Sequence, residues 1–119
     1  MDYKMKDGHY FNECNAEVYV QDGVYHRVDG PAIIYKYGSK YWYRNGMLHR
    51  DDGPTVEDID GSQFWYQNGN IHREDGPAAI YDEDSKDYWL EGIHYPKIKN
   101  DIQWRLEVQR IKRKKKEAK

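Results

Sequence analysis

Apolar positions over most of this chain come in short runs cut by turn residues. Trp42-Tyr43 leads into Asn45-Gly46 and Trp65-Tyr66 into Asn68-Gly69, with Leu48 and Ile71 on the far side. Asn-Gly between apolar runs predicts a two-residue type I′ hairpin, because both central positions need positive φ and these residues tolerate it. Beyond the hairpin stands His-Arg-x-Asp-Gly-Pro, running from His26 to Pro31, from His49 to Pro54 and from His72 to Pro77. The proline fixes its own φ, restricts the glycine before it and donates no hydrogen bond, so the chain turns or leaves a sheet edge there. Short strands follow at 32–35 and 78–81, then a polar turn around Ser39, Ser62 or Ser85, then the next Trp-containing strand.

The three copies of the phrase lie 23 residues apart, and Trp42, Tyr43, Asn45 and Gly46 return at the same spacing as Trp65, Tyr66, Asn68 and Gly69. The chain is a tandem repeat. Units 19–41, 42–64 and 65–88 and a partial unit 89–99 follow if one residue is inserted near Asp87, which sets Trp89 in the Trp position. The partial unit has His94, Tyr95 and Pro96 in place of the His-Arg pair, as a capping copy does. Residues 1–18 form an expected N-terminal cap strand region, with Tyr10 and Phe11 covering the first unit. Residues 100–119 change character. Asn100 or Asp101 caps a predicted helix, Ile102, Leu106 and Ile111 lie close to one face with Trp104 and Val108 beside it, and a basic run follows from Lys112. The expected fold is mainly β: an antiparallel β-meander sheet of tandem repeats, capped by a basic amphipathic C-terminal α-helix whose Trp104 and Leu106 cover the last unit.

Composition supports a sheet. Aromatic residues make up 15% of the chain through twelve Tyr, four Trp and two Phe, while Leu, Ile and Val are scarce. Broad rings suit a pleated surface better than a helical core. At 119 residues the chain is one expected domain, and its single cysteine, Cys14, excludes an internal disulfide. No apolar run approaches the ~20 residues of a membrane span, and no signal-peptide core stands at the start, so the expected location is cytoplasmic. Charge is uneven: residues 100–119 hold eight Lys or Arg against three Asp or Glu, a net +5, and residues 1–99 hold eleven against eighteen, a net −7.

The Trp-Tyr-x-Asn-Gly element resembles MORN-type repeats, and His-Arg-x-Asp-Gly-Pro-Ala resembles repeats of phage, giant-virus and bacterial proteins. The resemblance covers about residues 19–95. It implies an interaction module that binds a partner protein or a membrane, and an origin in a phage acting in its host's cytoplasm.

Candidate chemistry is sparse. His26, His49 and His72 invite a metal reading, but copies two strands apart lie roughly 10 Å from one another, too far for one ion. No nucleophile constellation, phosphate loop or paired-cysteine spacing is present. The expectation is therefore a non-enzyme with no metal and no cofactor. Two readings of the repeated phrase stand. In one, Arg and Asp form a local pair or turn bond, with the Asp accepting backbone N–H groups and the His packing on a Trp or Tyr. In the other, Tyr43, Tyr66, His49, Arg50, His72 and Arg73 present donors and ring faces to an anionic ligand. The basic run, with Lys112, Arg113 and Lys114, reads as a solvated helix end, as a nucleic-acid or anionic-surface contact, or as a fit to an acidic protein groove.

Eighteen aromatics cannot all hide in a thin sheet, and Tyr and Trp dominate protein interfaces. The leading expectation is a protein-binding module, phage-encoded, inhibiting a host defence or regulatory protein. The alternatives are a protein that sequesters a nucleotide or signalling molecule and one that binds nucleic acid through its basic tail. An open meander edge also leaves a homodimer available.

Overall fold

The structure, a computed structural model, describes residues 4–118, so the outermost parts of the expected end segments, 1–3 and 119, lie outside the described residues. β1 (Gly8–Phe11) turns back into β2 (Glu17–Gln21), which also pairs with β3 (Val24–Tyr25). After the first proline come β4 (Ile33–Ile34) and β5 (Lys40–Tyr41), then the Asn-Gly hairpin of β6 (Tyr43–Arg44) and β7 (Met47–Leu48). The order recurs as β8 (Val56–Glu57), β9 (Gln63–Phe64), β10 (Tyr66–Gln67) and β11 (Asn70–Ile71). It recurs again as β12 (Ala79–Asp82), β13 (Ser85–Asp87), β14 (Trp89–Leu90) and β15 (Ile93–His94), before the helix α1 (Asp101–Glu117).

β1, β2 and the strands that follow the prolines join edge to edge in one nine-stranded antiparallel sheet, ordered β1-β2-β4-β5-β8-β9-β12-β13 with β3 added through β2. The Asn-Gly hairpins form a second row, each a separate two-stranded ladder. Neighbours in that row are held by backbone bonds: Gly46, Gly69 and Gly92 donate to the carbonyls of Tyr25, Leu48 and Ile71, each at 2.9 Å. The type I′ expectation is met by Asn45 (φ 52°) with Gly46 (81°) and by Asn68 (51°) with Gly69 (85°). Glu91 holds the same conformation at φ 51° ahead of Gly92. Left-handed backbone costs an ordinary side chain about 1–2 kcal/mol, so this turn is the strained one.

The inserted residue expected near Asp87 is not there. The N–H groups of His49 and His72 donate to the carbonyls of Trp42 and Trp65, and that of Tyr95 donates to Tyr88. Tyr88 therefore takes the Trp position and Trp89 the Tyr position that follows. Backbone pairing fixes position regardless of side-chain type, so the Trp of one unit does not correspond to Trp89 of the last.

Directly paired residues share a face of the sheet, so Val18, Ile33, Tyr41, Val56, Phe64 and Ala79 line one side. Glu17, Ile34, Lys40, Glu57, Gln63 and Ile80 line the other by the same pairing. The first side carries the buried residues, and towards the N-terminal end Tyr10, Tyr25, Tyr35, Tyr41 and Tyr43 pack on Val18, Val20 and Ile33. The result is broad and flat, with extents of 45 × 38 × 26 Å. Its radius of gyration is 16.6 Å, against about 13.5 Å for a compact domain of this length.

α1 closes the far end. Asn100 caps it, its side-chain oxygen accepting the Gln103 N–H at 2.9 Å. Trp104 and Val108, four residues apart, are buried against Tyr88 and Leu90, with Tyr95, Ile98 and Ile111 around them. Trp104 Nε1 donates to the Arg73 carbonyl at 2.9 Å, and the Tyr88 hydroxyl donates to Asp101 at 2.7 Å. Leu106, expected to share the covering role, is 63% exposed. One turn of helix places it two residues, about 200°, from Trp104. No helix among the described residues is long and apolar enough to cross a membrane.

Trp104→Ala is expected to lower the unfolding free energy by about 3–5 kcal/mol, whereas Leu106→Ala changes it by no more than about 0.5 kcal/mol; urea denaturation separates the two. Burial, reinforced by the bond to Asp101, pushes the Tyr88 hydroxyl up to about 12. An unfolded tyrosine ionises near 10, so this contribution is fully present below about pH 10 and is lost as pH rises towards 12. Tyr88→Phe is therefore expected to make the fall of stability across that interval shallower, as read from urea midpoints at each pH.

Candidate interaction surface

Each repeated phrase places one guanidinium. Arg27, Arg50 and Arg73 lie over the rings of Tyr19, Trp42 and Trp65, with Cζ 3.8, 3.9 and 4.0 Å from the ring centroids. Nε of each donates to the aspartate two residues on, Asp29, Asp52 or Asp75, at 3.0 Å. A terminal nitrogen donates to the carbonyl of Pro31, Pro54 or Pro77 at 3.1, 2.9 and 3.0 Å. The glycine ahead of the proline is explained by the same group. A Cβ on Gly30, Gly53 or Gly76 would stand 2.7, 2.9 or 3.0 Å from the arginine Cζ, and none of these glycines has positive φ. Glycine is required there for close approach rather than for turn geometry.

The histidines join one unit to the next. Nδ1 of His26, His49 and His72 accepts the backbone N–H of Asn45, Asn68 and Glu91 at 2.9, 3.1 and 2.9 Å. The ring packing expected of them falls instead to His9, stacked on Tyr19 at 4.1 Å, and His94, stacked on Trp89 at 4.6 Å. The local pair expected between the arginine and aspartate of the phrase forms through Nε, the carboxylate taking the guanidinium rather than backbone N–H groups. A pattern of residue types states which groups are available but not which of them meet across units.

The candidate residues fall into three places. Arg50 and Arg73 are about three-quarters buried, at 21% and 25% side-chain exposure, with ring, carboxylate and carbonyl partners engaged beside His49 and His72. Tyr43 and Tyr66 follow Trp42 and Trp65 directly, so they point to the opposite side of the hairpin row. Tyr43 is half-buried, 5.3 Å from Tyr25, and burial raises its hydroxyl above the ordinary tyrosine range. Lys112 is on α1, where its ammonium pairs with Glu74 while that of Lys115 pairs with Glu91 at 2.7 Å. Arg113 and Lys114 make no ion pair among the described residues.

Two surfaces result. Each guanidinium with its ring, carboxylate and carbonyl partners acts as a staple, and on that side the groove between the first two loops, about 470 Å³, is lined by Trp42, Arg44 and His49 with Asp29, Asp51 and Asp52. Its outer rim is anionic, since Asp29 and Asp52 are each 87% exposed while their arginine partners are not. On the other side a stripe of rings crosses the sheet. Tyr35 lies 5.3 Å from Tyr41 and 5.6 Å from Tyr37, and Phe64 lies 5.7 Å from Tyr81. Tyr37 is 62% and Ile59 63% exposed at adjoining hairpin tips, where Ile59 N–H donates to Ser39 Oγ. Two-residue alternation carried the signal for Tyr35 and Tyr81, which stand in phase with Ile33 and Ala79. No group of three metal-binding side chains occurs among the described residues.

Compared with protein-family models, curated proteins and solved structures, the chain matches none of them.

Arg50→Lys keeps the charge but loses the planar stack and the fork of donors, and is expected to cost about 2 kcal/mol in thermal or urea unfolding. Gly53→Ala, which displaces the same guanidinium, should cost a similar amount. The double variant should fall well short of the sum of the two, the mark of one shared interaction.

Proposed function

We propose that this chain is a non-enzymatic protein-binding module that docks a partner protein on its stripe of tyrosines. The observation that carries the reading is the division of labour between the two sides. The arginines spend ring faces, edges and donors on holding the array together, whereas Tyr37, Ile59 and Tyr81 are large apolar side chains left in water at neighbouring tips. Rigid aromatic rings on a sheet give large contact area at little entropic cost, which favours a protein partner over a small anion. The resemblance to phage repeats points to a host defence or regulatory protein, met in the host cytoplasm and blocked by occlusion. A second reading, nucleic-acid contact, is favoured by Arg113 and Lys114 on α1.

A tagged chain incubated with bacterial lysate, with and without nuclease, tests both. The expected result is one protein retained through nuclease treatment and lost with the double variant Tyr37→Ser, Ile59→Ser, whose unfolding free energy stays within about 1 kcal/mol of the parent. Capture that survives the double variant would remove the stripe from the interface. Capture that disappears with nuclease, falls steeply with salt and needs Arg113 and Lys114 would establish the nucleic-acid reading instead.

A further inference from the structure

We propose that His26, His49 and His72 form an acid-sensitive lateral coupling: neutral imidazoles add a side-chain tie from each hairpin to the next, and protonation releases that tie while the Gly46, Gly69 and Gly92 backbone bonds and the arginine staples stay closed. The geometry is the same at all three. Nδ1 accepts a backbone N–H from the turn one unit further on. A nitrogen that accepts carries no proton, so the ring proton sits on Nε2. The imidazolium has N–H at both nitrogens and would set a donor against a donor, leaving the turn amide unpaired. Histidine is the side chain whose ordinary charge change falls between about pH 5 and 8. The arginine staples contain no imidazole, so the two kinds of contact part company on acidification.

The charged groups around each ring do not cancel this. His26 has no carboxylate at ion-pair distance among the described residues, because Val28 stands where the other two phrases carry an acid. His49 Nε2 lies 2.9 Å from Asp51, which Arg44 also holds at 2.9 Å. His72 Nε2 lies 3.6 Å from Glu74, which Lys112 also holds, and Lys115 holds Glu91 on the turn that His72 receives. These carboxylates favour an imidazolium, but each is shared with a cation. Asp51 and Glu74 are 63% and 45% exposed, against 10% and 16% for the two histidine side chains. Water screens the attraction more than it relieves the clash at Nδ1. The bonds to Arg44 and His49 hold Asp51 below the usual carboxylate range, and Lys115 does so for Glu91, so both stay ionised while the rings take up protons. The coupling is independent of what docks on the aromatic stripe.

The test is amide hydrogen exchange by NMR on the full chain between about pH 7.5 and 5.5, with ring nitrogen signals reporting tautomer and protonation. The expected result is an Nε2–H tautomer at the upper end and then a loss of protection at Asn45, Asn68 and Glu91 by about tenfold, one hydrogen bond's worth, as the rings protonate. The Nε–H signals of Arg27, Arg50 and Arg73 persist throughout. In His49→Asn the amide oxygen replaces Nδ1 as acceptor and does not titrate, so Asn68 keeps its protection while Asn45 and Glu91 lose theirs. The idea is overturned if the three amides stay protected through ring protonation, if the rings stay neutral across the interval, or if Asn68 loses protection in the variant as in the parent.

Discussion

A guanidinium laid on an aromatic ring is the contact on which this thin array depends. Strands of two residues supply little ladder and little apolar area, and a lone two-stranded ribbon is marginal in water. Each unit is closed by Arg27, Arg50 or Arg73, which ties one hairpin's ring to the aspartate and proline carbonyl of the loop that follows. The phrase His-Arg-x-Asp-Gly-Pro is in this sense the surroundings of one cation. Aspartate and proline supply acceptors, glycine supplies clearance, and only the planar fork of arginine can use all of them at once.

The ends show what happens when that contact runs out. Tyr19 has Arg27 on one face and His9 on the other, so the first ring is enclosed by the strand that precedes it. Tyr88 has no arginine, because Pro96 stands in the corresponding place. Trp104 takes over, 5.4 Å from Tyr88, and sends its indole N–H to the carbonyl of Arg73. Lys112 and Lys115 then fasten the helix to Glu74 and Glu91, so part of the basic segment's charge is spent on docking. An aromatic residue and two lysines replace one arginine at the price of a helix.

How far the sequence revealed this depended on whether the deciding partner was near or far along the chain. The Asn-Gly turns were legible, and the helix cap to within Asn100 or Asp101, because each is settled within four residues. The mainly β meander and its closing helix were legible because alternation and turn spacing are local too. Guanidinium on ring joins residues eight apart, and imidazole to turn amide joins residues nineteen apart. Neither distance belongs to any local periodicity, so the same residues also admitted a ligand ladder as the lesser reading. Leu106 was misplaced because a helix wheel gives an apolar sector but not the direction of the ring it must meet, and that direction is set by Tyr88.

The way α1 is attached also bears on how such a chain can change over generations. Trp104 sits on a ring that every unit presents, and the preceding strand pairs with an edge that every unit presents. Neither terminus therefore senses how many units lie between them. A copy gained or lost by recombination between the near-identical phrases would leave both seals intact and alter only the reach of the molecule. Span is thus an inheritable quantity that selection can adjust in steps of one unit, separately from whatever the tyrosines recognise.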